Sequence, residues 1–117
     1  MAILMIEDEF LVAAEIRFHL ERAGFTGLQH AATEAAALTA IGNHDWQAAV
    51  VDANLNGHGI DRIASALVAK HIPFVIVTGY GQQGLPPSVA GMKVIEKPFS
   101  PGQLVNTVAG LCAAPNA

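Results

Sequence analysis

Four short apolar runs, at residues 2–6, 48–51, 74–77 and 92–95, constrain this chain more than any other feature. Most of them lack the every-second-residue alternation of a strand with one wet face, so they read as strands buried on both faces. Between them lie stretches with helical spacing: Leu11, Ala14 and Phe18 together with Ile16 and Leu20, then Ile60, Ile63, Ala64 and Leu67. These are predicted amphipathic helices that would cover the strands. Helix punctuation agrees. Gly24 follows the first helix, Thr33 can cap the second, and Ser100-Pro101 followed by Gln103 makes a capping box with proline at the first helical position. A weaker strand at 27–31 completes a series of five strands alternating with helices. The usual outcome of such a series is a parallel sheet with right-handed crossovers, and the expected strand order is 2-1-3-4-5.

The chain has 117 residues, enough for one domain, expected over 1–112 with 113–117 as a frayed tail. No apolar run approaches the roughly 20 residues that cross a bilayer, so a membrane span is not expected. The N-terminus lacks a basic region followed by an apolar stretch and a cleavage site, which points to the cytoplasm. The single cysteine, Cys112, reads as an apolar filler. A net charge of −4 without a Lys/Arg cluster argues against a nucleic-acid partner. One crossover stands apart, because residues 80–91 carry three glycines and two prolines. A regular fourth helix there is not expected; it should be short or replaced by a loop.

In open α/β sheets ligands bind beyond the carboxyl ends of the strands, where the strand order reverses. The chain puts its polar groups there: Glu7-Asp8-Glu9 after strand one, Asp52 after strand three, Thr78 after strand four and Lys97-Pro98 after strand five. With strands one and three adjacent, Glu7, Asp8 and Asp52 should converge and call for a cation. Hard oxygen donors suit Mg²⁺. Asp8 and Asp52 would ligate directly, the Asn54 backbone carbonyl would add a ligand, and Glu7 would act through water. Lys97 offers a point charge and Thr78 a hydroxyl to phosphoryl oxygens. A metal, a lysine and a hydroxyl around a carboxylate describe phosphoryl transfer onto it, with Asp52 as the nucleophile. Gly79 has no side chain to obstruct a donor.

With these residues in order, the chain resembles bacterial two-component response-regulator receiver domains from residue 2 to about residue 111. The resemblance implies a flavodoxin-like fold in which Asp52 accepts a phosphoryl group from a sensor histidine kinase with the help of Mg²⁺. It implies that Thr78 and Lys97 form the switch pair and that the Lys97-Pro98 peptide bond is cis. Such a domain is a signalling phosphoacceptor rather than an enzyme in the usual sense, and it acts through a downstream protein or phosphotransfer partner. Ile76-Val77-Thr78-Gly79-Tyr80 looks like the FAT GUY subfamily, whose motif begins Phe-Ala-Thr-Gly and whose fourth helix is replaced by a loop. Two positions depart from the family pattern. Val94 stands where an aromatic usually swings inward, and Asn56 where proline is often found. Tyr80 is a candidate to take over part of the aromatic's role. A phosphate-independent interaction module is the alternative that the missing aromatic would permit.

Other polar residues have plainer expectations. Glu9 reads as a helix-opening acid that complements the helix dipole. The five histidines, His19, His30, His44, His58 and His71, show no ligand spacing and are expected at solvated positions. Asp61 and Arg62 should open the third helix on its exposed face. Trp46, about 20 Å from Asp52 along an extended strand, should be a core or rim aromatic. A flavodoxin-type cofactor site would need a phosphate-binding loop where Glu7-Asp8-Glu9 repels phosphate. A haloacid-dehalogenase-type phosphatase would need an acid where Asn54 stands.

Overall fold

The computed structural model describes residues 2–55, 60–79 and 91–113. Strands β1 (Ile3–Ile6), β2 (Leu28–Ala31), β3 (Ala48–Asp52), β4 (Phe74–Thr78) and β5 (Lys93–Glu96) form one parallel sheet in the order β2-β1-β3-β4-β5. The helices are α1 (Phe10–Arg22), α2 (Glu34–Asn43), α3 (Asp61–Ala69) and α4 (Pro101–Ala113). This is the expected flavodoxin-like, doubly wound arrangement. The central strands β1, β3 and β4 are buried along their whole length, which explains their continuous apolar runs. The crossover expected to lack a regular helix, with Tyr80, lies outside the described residues apart from Gly91, as do Asn56 and His58. Ala113, expected in the frayed tail, closes α4, and residues 114–117 lie outside the description.

Strand alternation divides the core into two layers. Ile3, Met5, Ala48, Val50, Val75 and Val77 face Ile16 and Leu20 of α1 and Leu104, Val108 and Leu111 of α4. Leu4, Ile6, Ala49, Val51, Phe74 and Ile76 face Ala37, Ala40 and Ile41 of α2 and Ile63, Ala64 and Leu67 of α3. Trp46 is in this second layer, its indole N–H donating to the Ala40 carbonyl at 2.9 Å. Cys112 packs beside the first layer, and burial raises its thiol pKa.

The helix caps follow the local sequence. The Thr33 hydroxyl accepts from the Ala36 amide at 3.1 Å, and the Ser100 hydroxyl accepts from the Gln103 amide at 3.0 Å. Beyond α1, the amides of Gly24 and Phe25 donate to the carbonyls of Glu21 and Leu20, the paired bonds of a Schellman motif, with Gly24 at φ 98°. The apolar phase of α1 departs from expectation. Ala13, Ile16 and Leu20 are buried, whereas Leu11, Ala14 and Phe18, read with Ile16 and Leu20 as one apolar face, are exposed.

Candidate functional site

Sheet register assembles the site. Ile6 pairs with Val51, Asp52 with Val77, and Thr78 with Glu96. One step further, Glu7 comes level with Asp52, and Lys97 follows the residue opposite Thr78. Backbone bonds extend the ladder past the strand ends: the Glu7 amide donates to Ala31 at 3.1 Å, that of Ala53 to Val77 at 2.9 Å, and that of Lys97 to Thr78 at 2.8 Å. Neighbouring strands lie about 4.8 Å apart, so side chains at these positions must meet. The Lys97–Pro98 peptide bond, next to the last of these tethers, is cis.

Among the described residues, Glu7, Asp52 and Thr78 are the buried polar or charged ones, at 1%, 5% and 3% exposure. All three occupy the same end of the sheet. One carboxylate oxygen from each of Glu7, Asp8 and Asp52 lies within 4.8 Å of the others. Lys97 Nζ sits 3.6 Å from Glu7 Oε1, 3.7 Å from Glu9 Oε1 and 3.8 Å from Asp52 Oδ1. The Asn54 amide donates to Asp52 Oδ1 at 3.2 Å. Above these groups lies a cleft of about 350 Å³ lined by Asp8, Glu9, Asp52, Asn54, Thr78 and Lys97, with Gly79 at its rim. A methyl group at Gly79 would meet nothing within 4 Å, so this position borders open space.

The electrostatics are those of acids held too close. Burial first, then the Asp52 charge, pushes the Glu7 pKa up to about 8 despite the opposing pull of Lys97. Burial, then a hydrogen bond with Asp8, also raises Asp52, against the Asn54 amide and Lys97. Glu7 Oε1 is buried without a hydrogen-bond partner among the described residues. A buried acceptor without a hydrogen bond, two acids held above their ordinary range and an all-oxygen donor set fit a hard divalent cation such as Mg²⁺.

One expectation is completed and another corrected here. Glu9 is the N-cap of α1 but makes no capping hydrogen bond; its carboxylate turns toward Lys97 and lines the cleft. It keeps its place at the positive end of α1 and also faces the lysine across the sheet, a neighbour that residue type alone could not reveal. His30 is half-buried rather than solvated, with its Nε2 against the Glu7 carbonyl oxygen and its ring edge-on to Phe10 at 5.8 Å. Its place on β2 beside β1 brings it there, a proximity that follows from strand order and not from histidine spacing. His19 is also half-buried, 3.9 Å from Glu15, while His44 and His71 are exposed.

With acids beyond β1 and at the end of β3 and a lysine beyond β5, this flavodoxin-like sheet superposes on solved structures of response-regulator receiver domains, CheY-like ones among them. The receiver domain of the sensor histidine kinase PA1611 from Pseudomonas aeruginosa PAO1, which has a magnesium ion coordinated in its active-site cleft, is 19% identical with a TM-score of 0.83, covering 97% of this chain and 98% of that one. A putative response regulator from Chloroflexus aurantiacus J-10-fl is 25% identical with a TM-score of 0.83 over 97% and 98% of the two chains. SdrG from Sphingomonas melonis Fr1 is 32% identical with a TM-score of 0.81 over 94% of each. No protein-family model matches the sequence, and no curated protein matches it. The chain shares its fold with these response-regulator receiver domains.

Proposed function

We propose that the chain is a phosphoacceptor signalling domain that takes a phosphoryl group from the phosphohistidine of a sensor kinase onto Asp52. The observation that carries this reading is the buried Asp52 carboxylate, held among Glu7, Asp8 and Lys97 at the floor of an open cleft. A buried acid with a lysine 3.8 Å away and a hydroxyl on the neighbouring strand is poorly explained as packing. Asp8 and Asp52, the Asn54 carbonyl, and Glu7 through water would hold Mg²⁺. When bound, the ion would offset charge on the transferring group and on the acids.

The chain's own residues then have defined work. An Asp52 oxygen attacks phosphorus as the P–N bond of the donor breaks, the electron pair leaving on the imidazole nitrogen. Lys97 meets the charge on the phosphoryl oxygens, and the Thr78 hydroxyl donates to one of them. Gly79 keeps the rim open to a donor as bulky as a helix-borne histidine. Thr78 and Lys97 would report the new charge to a downstream protein. Ile76 to Gly79 support placement in the FAT GUY subfamily, with Tyr80 as an auxiliary switch residue. A cytoplasmic location, where a kinase phosphohistidine would meet Asp52, is part of this reading.

The test is transfer of labelled phosphate from phosphorylated kinases of the same genome. Asp52→Asn preserves shape and removes the nucleophile, so label uptake should fall to background. Retention of wild-type uptake by that variant would disprove the assignment. A wild-type chain that takes no label from any kinase or from acetyl phosphate would instead favour the phosphate-independent module.

A further inference from the structure

The carboxylate of Glu9 is committed to neither of the roles its position offers. It stands outside the Glu7, Asp8 and Asp52 group, and it does not cap the helix whose N-cap position it occupies. Instead it approaches Lys97, which lies between two glutamates of opposite setting: the Glu7 side chain is 2% exposed and the Glu9 side chain 63%. One ammonium is therefore shared between a buried carboxylate outside the cleft lining and an exposed one that lines the cleft.

We propose that Glu9 is a positioning residue, a rim counter-ion that draws Lys97 toward the mouth of the cleft and competes for it with the phosphoryl group on Asp52. The inference rests on the reading of Asp52 as phosphoacceptor. A divalent cation held by Glu7, Asp8 and Asp52 offsets charge on two of the three acids around Lys97 and leaves Glu9 with its full charge. Glu9 then becomes the stronger remaining partner of the lysine. A phosphoryl group brings up to two negative charges and strong acceptor oxygens to Asp52, and Lys97 must leave Glu9 to meet them. Exposed ion pairs are weak, so the competition amounts to a factor of about two to five in equilibrium. Such a latch sets how readily the domain becomes phosphorylated without touching the reacting atoms.

The test compares wild type, Glu9→Gln and Glu9→Asp. Gln removes the charge and keeps the length. Asp keeps the charge, but its carboxylate is one methylene short and is a favoured cap for the α1 amides, so it too releases Lys97. The first readout is the dissociation constant for beryllofluoride with Mg²⁺, followed through the backbone amides of Ala53 and Gly79. Both variants should bind it about two- to five-fold more tightly, with a matching gain in phosphorylation rate by acetyl phosphate. The second readout is the Lys97 side-chain NMR resonances without Mg²⁺, which should move alike in both variants. If Gln tightens binding while Asp matches wild type, diffuse charge at the mouth is responsible and the latch is overturned. If wild type binds beryllofluoride and neither variant differs from it, the latch fails and the phosphoacceptor reading stands. If wild type neither binds beryllofluoride nor takes up phosphate, both fall together.

Discussion

His71 follows α3 with φ 58°, and among the described residues it is the non-glycine residue with positive φ. Its amide donates to Val68 at 3.0 Å and that of Ile72 to Leu67 at 2.9 Å, the same pair of bonds that closes α1 around Gly24. A side chain with a Cβ is strained in this left-handed position, where glycine is not. His71→Gly should therefore stabilise the chain by about 0.5–1 kcal/mol, read as a higher urea midpoint with unchanged m-value. The side chain is exposed, so little packing is lost. The preceding residue has a different task. Lys70 Nζ donates to the carbonyls of Ile41 at 3.0 Å and His44 at 3.3 Å, capping the end of α2 from the end of α3. Lys70→Met should cost about 1 kcal/mol by the same measurement. Neither residue carried a sequence signal for its role, because the first depends on a backbone angle and the second on the packing of two helices.

At the scale of elements, α1 shows where periodicity stops being informative. It carries two apolar stripes, Ala13, Ile16 and Leu20 against the sheet and Phe10, Leu11 and Phe18 on the outside. Both have helical spacing, and the sequence does not say which one faces inward. The choice is made by the register in which the chain leaves β1 and turns through Glu9, and by the Schellman end that returns it to β2. In α3 and its N-cap, by contrast, a single stripe of Ile60, Ile63, Ala64 and Leu67 exists, and all four residues are buried as the spacing predicts. Substitution separates the two stripes of α1. Leu20→Ala, at a fully buried position, should cost about 2–5 kcal/mol. Leu11→Ser, at a residue 86% exposed, should stay within about 0.5 kcal/mol of wild type. Comparable losses for both would mean that the helix is rotated about its axis relative to this description.

Across the whole molecule, sheet order and the convergence of the candidate site's residues were legible for the same reason. Strands buried on both faces leave no place for polar residues except their ends, so Asp52, Thr78 and Lys97 had to gather where the strands stop. What the sequence could not supply was the depth of that gathering, and Glu7 shows its consequence. Burial and the Asp52 charge lift its pKa from 4.5 to about 8, so the folded chain holds a proton there that the unfolded chain releases. Stability from this group is present in full below about pH 4.5 and is lost as pH rises through 8, since the folded state binds more protons in that window. The raised Asp52 pKa acts in the same direction. With EDTA present, urea unfolding should therefore show stability falling between pH 5 and 8, a trend that Glu7→Gln should flatten. Mg²⁺ binds the ionised acids of the folded chain, so it should reverse the trend. At a hundredfold excess over its dissociation constant it should add about 2.7 kcal/mol. Stability in EDTA that is level across this range, together with no response to Mg²⁺ at pH 8, would show that the three acids are not electrostatically coupled and that no cation site exists among them.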